Sequence, residues 1–287
     1  MPYATEENLT DLAMDRWQKC KSPRLRQIMT SLVKHLHGFV REVELSEEEW
    51  AFAVNWLART GRLCDEKRQE FILFSDVLGI SMLVDAINHR LPSEATPSTV
   101  LGPFHIDGSP PLDDGANMAE GVSGEPCYVT GVVRDLDGKP VGGALLDVWQ
   151  ADGEGIYEAQ LADWEGPRLR AHYRSNPDGS FCVSTIAPLG YEIPLDGTVG
   201  QLMNATDIVP CRPAHIHFLV EAPGYERVVT HLFRAGDQHL DHDVVFGVKS
   251  RLITEFRREP PGRTPAGTES AAPFYVVDFD ITLNKAA

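Results

Sequence analysis

The sequence predicts a mainly β fold with an α-helical N-terminal domain, the larger second part being an antiparallel β-sandwich. Three observations carry this expectation. Residues 1 to about 92 read as helical, with apolar residues at helical spacing from Leu25 onward. At Pro92 the pattern changes, and proline and glycine become frequent. Beyond Gly124 come short runs of period two separated by turn residues, the pattern of a two-layer β structure. The boundary falls in the irregular connection 93–124, so the domains are expected over residues 1–95 and 96–287.

Ser22-Pro23 is a helix start signal, followed by the stripe Leu25, Ile28, Met29, Leu32, Val33, Leu36 and Val40. Ser46 with Glu49 has the form of a capping box ahead of Trp50, Ala53, Val54 and Leu57. Gly61 is the expected stop of that helix. A third helix is expected over 65–90, and between residues 71 and 84 it is apolar on nearly every side. Such a helix must be covered all round, by its own domain or by a second subunit. Asp76 is an unexpected charge within it. Either it bonds a neighbouring polar group, or it lines a pocket.

Strands are expected over 127–133, 144–149, 168–173, 181–186, 215–221, 227–234 and 274–283, with a hairpin turn at Asp137-Gly138. Residues 238–256 read as a polar loop leading into a short helical segment.

Composition narrows the function. Among 287 residues, 43% are hydrophobic and 24% charged, ordinary for a soluble globular protein. A formal net charge of −16 argues against nucleic-acid partners, which require clustered Lys and Arg. The five cysteines are scattered without Cys-x-x-Cys spacing, which argues against a zinc-cysteine site and a disulfide framework. Residues 1–8 lack the basic-then-apolar pattern of a signal peptide, and no run reaches the roughly 18 apolar residues of a membrane helix. The expectation is a cytoplasmic protein without membrane insertion.

His215 and His217 lie two apart on an expected strand, so both imidazoles point to one face and can reach one metal ion. Alone, the pair reads more readily as two solvent-facing histidines on a half-buried strand. The segment upstream adds Gly131, Gly138, Leu146-Asp147-Val148-Trp149 and Gly155-Ile156-Tyr157 at fixed spacing. This pattern resembles the signature of the intradiol ring-cleaving dioxygenases, the catechol and hydroxyquinol 1,2-dioxygenases, and the likeness extends over essentially the whole chain.

The resemblance implies one Fe(3+) per subunit, held by two tyrosines and two histidines. Tyr157 matches the first tyrosine, and Tyr191, within the run 188–194, matches the second. His215 and His217 match the histidine pair, and Arg212 matches a catalytic arginine three residues before it. The two domains then become a helical dimerisation domain and a catalytic iron-binding sandwich. The partners implied are a small aromatic diol or triol and O2, and a second copy of the chain. The family's helical region is often reported with a phospholipid at the dimer axis.

The ligand set makes chemical sense on its own terms. Ferric iron is a hard cation that prefers anionic oxygen. A free phenol titrates near pH 10, so tyrosinate at neutral pH requires direct bonding to a highly charged metal. Charge transfer from tyrosinate should then colour the protein red-brown. The resemblance implies that the substrate binds through both adjacent hydroxyls as a dianion, one proton going to a metal-bound hydroxide and the other to Tyr191, which leaves the metal. Arg212, always charged, would stabilise negative charge building on the ring. The bond between the hydroxyl-bearing carbons is cut, giving a muconate-type diacid.

Acidic residues before Tyr157, the run 191–197 and the segment Thr230-His231-Leu232-Phe233 look closer to the hydroxyquinol branch, since catechol members usually carry glutamine where His231 stands. Leu73, Asp76, Val100, Leu101, Gly102, Pro103, Phe104, His231 and Val245, with Arg212, would bind substrate. Asp76 could accept a hydrogen bond from the extra hydroxyl of hydroxyquinol, although chlorocatechol enzymes can also carry an acid there. Four positions depart from the pattern: Cys211 where a small residue is expected, Glu192 where proline is commoner, Leu195 in place of a histidine, and His105 in place of an aromatic.

Other histidines and tyrosines have plainer readings. His239 and His242, with Asp237, Asp241 and Asp243, are expected to form a solvated acidic loop. His35 and His37 read as surface or packing residues, and His89 as a helix-terminal cation. Tyr128, Tyr173 and Tyr225 read as sandwich packing residues with wet hydroxyls. Two alternatives stand beside the dioxygenase: a non-catalytic sandwich binding protein, and a zinc hydrolase, for which no His-Glu-x-x-His motif is present. The complete Tyr, Tyr, His, His, Arg set argues against the binding protein.

Overall fold

The computed structural model describes residues 3–161 and 166–286. The chain forms two compact units, Met1–Ala58 and Arg59–Ala287.

The first unit holds α1 (Leu9–Trp17), α2 (Pro23–Glu42) and most of α3 (Glu47–Arg62). Ser22 caps α2 by accepting the Leu25 N–H, with Pro23 at the first helical position. Ser46 and Glu49 close the capping box of α3: the Ser46 N–H donates to Glu49 Oε2 at 2.9 Å and the Glu49 N–H to Ser46 Oγ at 3.2 Å. α1, within the stretch read as helical although no separate start or stop was assigned to it, lies against α2, where the Thr10 hydroxyl meets His37 Nδ1 at 3.1 Å. The apolar stripes of α2 (Leu25, Ile28, Leu32, Leu36, Val40) and α3 (Trp50, Val54, Leu57) remain exposed in the single chain.

The second unit begins with the end of α3, which runs through Gly61 to Arg62; the chain then turns on Asp65, whose Oδ1 accepts the N–H groups of Lys67 and Arg68. The single helix expected over 65–90 is two, α4 (Glu70–Val77) and α5 (Ile80–Asn88), broken at Gly79 with φ +70°. An all-round apolar surface has no phase from which the break could be read. α4 buries Leu73 and Asp76, while α5 leaves Leu83, Val84 and Ile87 exposed.

The strands are β1 (Pro126–Asp135), β2 (Leu145–Trp149), β3 (Arg170–Arg174), β4 (Ser180–Ile186), β5 (Tyr191–Glu192), β6 (Cys211–Arg212), β7 (His215–Glu221), β8 (Val228–Arg234), β9 (Ile253–Thr254), β10 (Arg257–Glu259), β11 (Gly262–Arg263), β12 (Glu269–Ser270), β13 (Phe274–Asp278) and β14 (Ile281–Leu283), with α6 (Thr198–Met203) between β5 and β6. One sheet has the order β3-β2-β7-β8-β9, and the other runs β10-β13-β1-β14 with β4 also on β1. β5 pairs with β6 and β11 with β12.

The sheets are mixed, which corrects the antiparallel expectation. β13 and β14 both run parallel to β1, and β9 runs parallel to β8. Period-two alternation gives the face of a residue and says nothing about strand direction. The Asp137-Gly138 turn forms, with the Gly138 N–H donating to Asp135 O, but β1 and β2 do not pair; the chain crosses to the other sheet. The strand expected over 274–283 is two, and residues 238–256 hold two single 3-10 turns, Leu240–His242 and Ser250–Leu252, in place of an α-helical segment.

The core lies between the two large sheets. Leu146 and Val148 of β2, Ile216, Phe218 and Val220 of β7, Val129 and Val133 of β1, and Val277 of β13 are fully enclosed there. Alternation then sends Asp147 and Trp149 of β2, and His215 and His217 of β7, to the opposite face of the first sheet. That face is covered too: β7 is buried at every position except Glu221.

Candidate active site

Four donor atoms converge on the outer face of β7. His215 Nε2 and His217 Nε2 are 3.1 Å apart. Tyr157 Oη lies 3.4 Å from the first and 3.1 Å from the second, and Tyr191 Oη lies 3.3 Å from Tyr157 Oη. Donors about 2 Å from a common metal sit about 3 Å from one another, which is the separation found here. All four side chains are buried.

Local structure explains how separate segments meet. β7 supplies both histidines. Tyr157 ends the turn after β2, in which Asp152 Oδ1 accepts the N–H groups of Glu154 and Ile156. Gly155 in that turn has φ +82°, and a Cβ there would collide with Cβ of Tyr191, so the glycine lets the two tyrosine-bearing segments touch. Tyr191 sits on β5 opposite Arg212 of β6. Phe104 lies on Tyr157, ring centroids 4.4 Å apart and planes 14° apart.

Protonation follows from the contacts. His215 Nδ1 meets the Pro213 carbonyl at 2.6 Å, and a carbonyl only accepts, so Nδ1 carries the proton and Nε2 presents a lone pair. Burial, with Arg212 close by, drives the His215 pKa down to about 3, and burial with the neighbouring histidines holds that of His217 well below its usual range. Burial pushes both phenols upward, Tyr157 strongly. The protein alone thus keeps two neutral imidazoles and two neutral phenols. Only a multivalent cation among them would draw the phenols into the anionic form, and the donor set of two oxygens and two nitrogens fits a hard, highly charged metal. Among the described residues no cluster of three or more His, Cys, Asp and Glu is arranged to hold a metal ion, so the phenols are indispensable to any such site.

Arg212 is buried at the edge of this cluster. Its Nη1 lies 3.0 Å from His215 Nε2, and its Nη2 lies 3.4 Å from His231 Nδ1. His231 faces His217 across the β7–β8 rung and contacts the Thr99 hydroxyl at 3.1 Å. A cavity of about 530 Å³ shares Phe104 with the cluster and is walled further by Leu73, Pro103 and Pro194. Leu73, Val100 and Val245 pack in one apolar cluster with Ile193. Gly102 sits where a side chain would touch His217, and Leu101 beside it is partly exposed. Asp76 is 1% exposed, and neither carboxylate oxygen finds a hydrogen-bond partner among the described residues. Burial raises its pKa to about 6, against the pull of the Arg212 charge.

Several contributors escaped the sequence reading. Trp149 stacks on His217, and Asp243, expected in a solvated loop, is buried against Arg212. Asp241 and His242 are exposed as expected, whereas Asp237 is half-buried and its Oδ2 accepts the Ala214 N–H at 3.0 Å. His105 binds Asp147 at 3.1 Å, which accounts for a histidine at that place. Tyr173 packs in the core, yet its hydroxyl donates to the Ala116 carbonyl instead of to water.

Comparison with known proteins agrees with this geometry. Residues 22–96 match the family described as "Catechol dioxygenase N terminus" and residues 100–285 the family described as "Dioxygenase". The chain is 48% identical to a 6-chlorohydroxyquinol 1,2-dioxygenase of Cupriavidus pinatubonensis, over 97% of each chain. It is 45% identical to a hydroxyquinol 1,2-dioxygenase of Nocardioides simplex, over 99% of this chain and 97% of that one. The crystal structure of a hydroxyquinol 1,2-dioxygenase from Pseudomonas putida DLL-E4 superposes with a TM-score of 0.88 at 46% identity, covering 98% of this chain and 99% of that chain. With both of its parts matched and the aromatic and imidazole donors gathered on one sheet face, the chain belongs to the intradiol ring-cleaving dioxygenases.

Proposed function

We propose that this enzyme cleaves hydroxyquinol (benzene-1,2,4-triol) with O2 between its adjacent hydroxyls, giving 3-hydroxy-cis,cis-muconate (maleylacetate). The observation that carries this reading is the convergence of His215 Nε2, His217 Nε2, Tyr157 Oη and Tyr191 Oη within 3.1–3.4 Å contacts. Tyr157, Tyr191, His215 and His217 would hold one Fe(3+) per subunit. Bound there, iron would withdraw electron density from a coordinated diol and open its ring to dioxygen.

The remaining steps belong to the protein. Tyr191 Oη, in the phenolate form that bound iron would favour, would take a proton from one substrate hydroxyl, and Arg212 Nη1 would stabilise negative charge that develops on the ring. Leu73, Val100, Pro103, Phe104 and Val245 exclude water, with Leu101 and Gly102 shaping the backbone beside His217 and His231 flanking Arg212. Asp76, buried and unpartnered, accepts a hydrogen bond from the third ring hydroxyl; a diol lacking that group leaves the carboxylate unsatisfied. The names of the relatives support the same substrate class.

A second reading is a catechol or chlorocatechol 1,2-dioxygenase giving a cis,cis-muconate, which the largely apolar lining around Leu73 and Val245 would also suit. Oxygen uptake with hydroxyquinol, catechol and chlorocatechol decides between them: hydroxyquinol should give the highest kcat/KM, and a preference for catechol would overturn the choice. The exposed stripes of α2 and α3 support a homodimer through the N-terminal helices, with a phospholipid as a candidate occupant of the interface. No helix of the described residues is long and apolar enough to cross a membrane, and the proposed location is the cytoplasm.

A further inference from the structure

We infer that Asp243 is a positioning residue for this reaction: it grips Arg212 so that one guanidinium nitrogen is left facing the His215–His217–Tyr157 cluster. The inference rests on the proposed dioxygenase reading and assigns a role within it.

Asp243 Oδ1 accepts from Arg212 Nε at 3.0 Å, and its Oδ2 lies 3.3 Å from Nη2. This two-point grip fixes the plane of the guanidinium as well as its place. Nη1 is thereby left to point at His215 Nε2, 3.0 Å away. A guanidinium held at one corner would rotate about its Cδ–Nε bond; held along an edge, it cannot.

The carboxylate is itself held. Oδ2 accepts the Gly247 N–H at 2.9 Å, and Oδ1 is 3.4 Å from the Val245 N–H. The turn that makes this possible is strained, since Phe246 adopts φ +59°, which a bulky residue rarely takes. Gly247 has a further constraint: a Cβ there would stand 3.0 Å from both Arg212 Nη2 and Asp243 Oδ2. The same loop reaches the strand once more, where Asp237 Oδ2 accepts the Ala214 N–H at 3.0 Å. Two acidic residues of the 237–247 loop therefore bind the Arg212–Ala214 segment from behind, one through its side chain and one through its backbone.

The test is a double-mutant cycle on the iron-loaded enzyme with Asp243→Asn and Arg212→Gln, read by kcat and KM for hydroxyquinol and by the visible absorption band. Asp243→Asn alone should lower kcat on the order of 10²-fold with a smaller change in KM, and leave the band in place because no donor atom is touched. In the Arg212→Gln background the same substitution should cost less than about 3-fold, since the group it acts through is gone. Gly247→Ala, which crowds both partners, should reproduce the loss and keeps the test open if Asp243→Asn does not fold. Multiplying losses, an unchanged kcat, or a band abolished by Asp243→Asn would each overturn the assignment. If the wild-type protein shows neither band nor turnover, the dioxygenase reading falls and takes this inference with it; if the wild type turns over and the losses multiply, the inference alone falls.

Discussion

Trp149 and His217 occupy one rung of the β2–β7 ladder, and their rings stack with centroids 4.6 Å apart and planes 15° apart. The indole supports the imidazole plane by lying flat on one of its faces. Trp149→Leu keeps the strand and the burial but removes this flat support. The substituted protein should still bind iron, yet lose it faster to a chelator than the wild type does. Equal rates of loss would show that the strand alone orients His217.

Removal of a donor should act more severely. Tyr157→Phe or His217→Ala takes away one of the four converging atoms, and each variant should lose the broad visible band together with at least about 10²-fold in turnover. Metal content measured alongside absorption separates loss of iron from loss of colour. Full turnover in either variant would mean that the donors have been misplaced.

Gly155→Ala reaches the site through the backbone. An alanine at φ +82° is strained by about 1–3 kcal/mol, and its Cβ meets Tyr191. Thermal melting should fall by several degrees, and the visible band should shift or weaken even in the folded protein. A band identical to that of the wild type would mean that Tyr191 is held independently of the Tyr157 turn.

Asp76 offers two readouts. Because the folded protein raises its pKa to about 6, the native state holds the proton more tightly than the unfolded chain. Its contribution to stability is full at low pH and is lost as pH rises from about 4 to about 6, a difference on the order of 3 kcal/mol. Asp76→Asn should therefore melt higher than the wild type at pH 8, with the advantage vanishing near pH 4. The same variant should lower kcat/KM for hydroxyquinol relative to catechol by about 10-fold or more. An unchanged preference removes Asp76 from substrate selection, whatever the melting curves show.

The proposed homodimer makes a separate prediction. Leu32 and Leu36 are half exposed on α2, and Leu32→Glu with Leu36→Glu should convert a dimer into monomers by sedimentation. A wild-type protein sedimenting as a monomer at micromolar concentration would sink the proposal.

What the sequence disclosed follows a physical divide. β7 was legible to the residue, because its β-branched and aromatic residues and the preceding Pro213 both mark it. The caps at Ser22 and Ser46 were legible because capping is a local hydrogen-bond pattern. The parallel partners of β1 were not, since they come from the far end of the chain, and local pattern holds no information on which strands meet. The site divides in the same way. Tyr157 came from a spaced signature, and Tyr191, His215, His217 and Arg212 from the family resemblance it carries; the structure brings their side chains together. Asp243 was hidden in a loop crowded with other acids, where only the fold distinguishes the carboxylate that turns inward from those that stay wet.

The ribbon of β5 and β6 has only two rungs, Tyr191–Arg212 and Glu192–Cys211. A slip of one residue would offer the cluster a carboxylate or a thiol in place of the phenol and the guanidinium. Insertions in the exposed stretch 204–209 should be absorbed, because the Ile193 N–H bond to Pro210 O closes that excursion at its base. A single deletion between Arg212 and His215 has no such outlet. The chain is thus tolerant of length on one side of the ribbon and intolerant of it on the other, and natural or engineered variation in loop length should be one-sided.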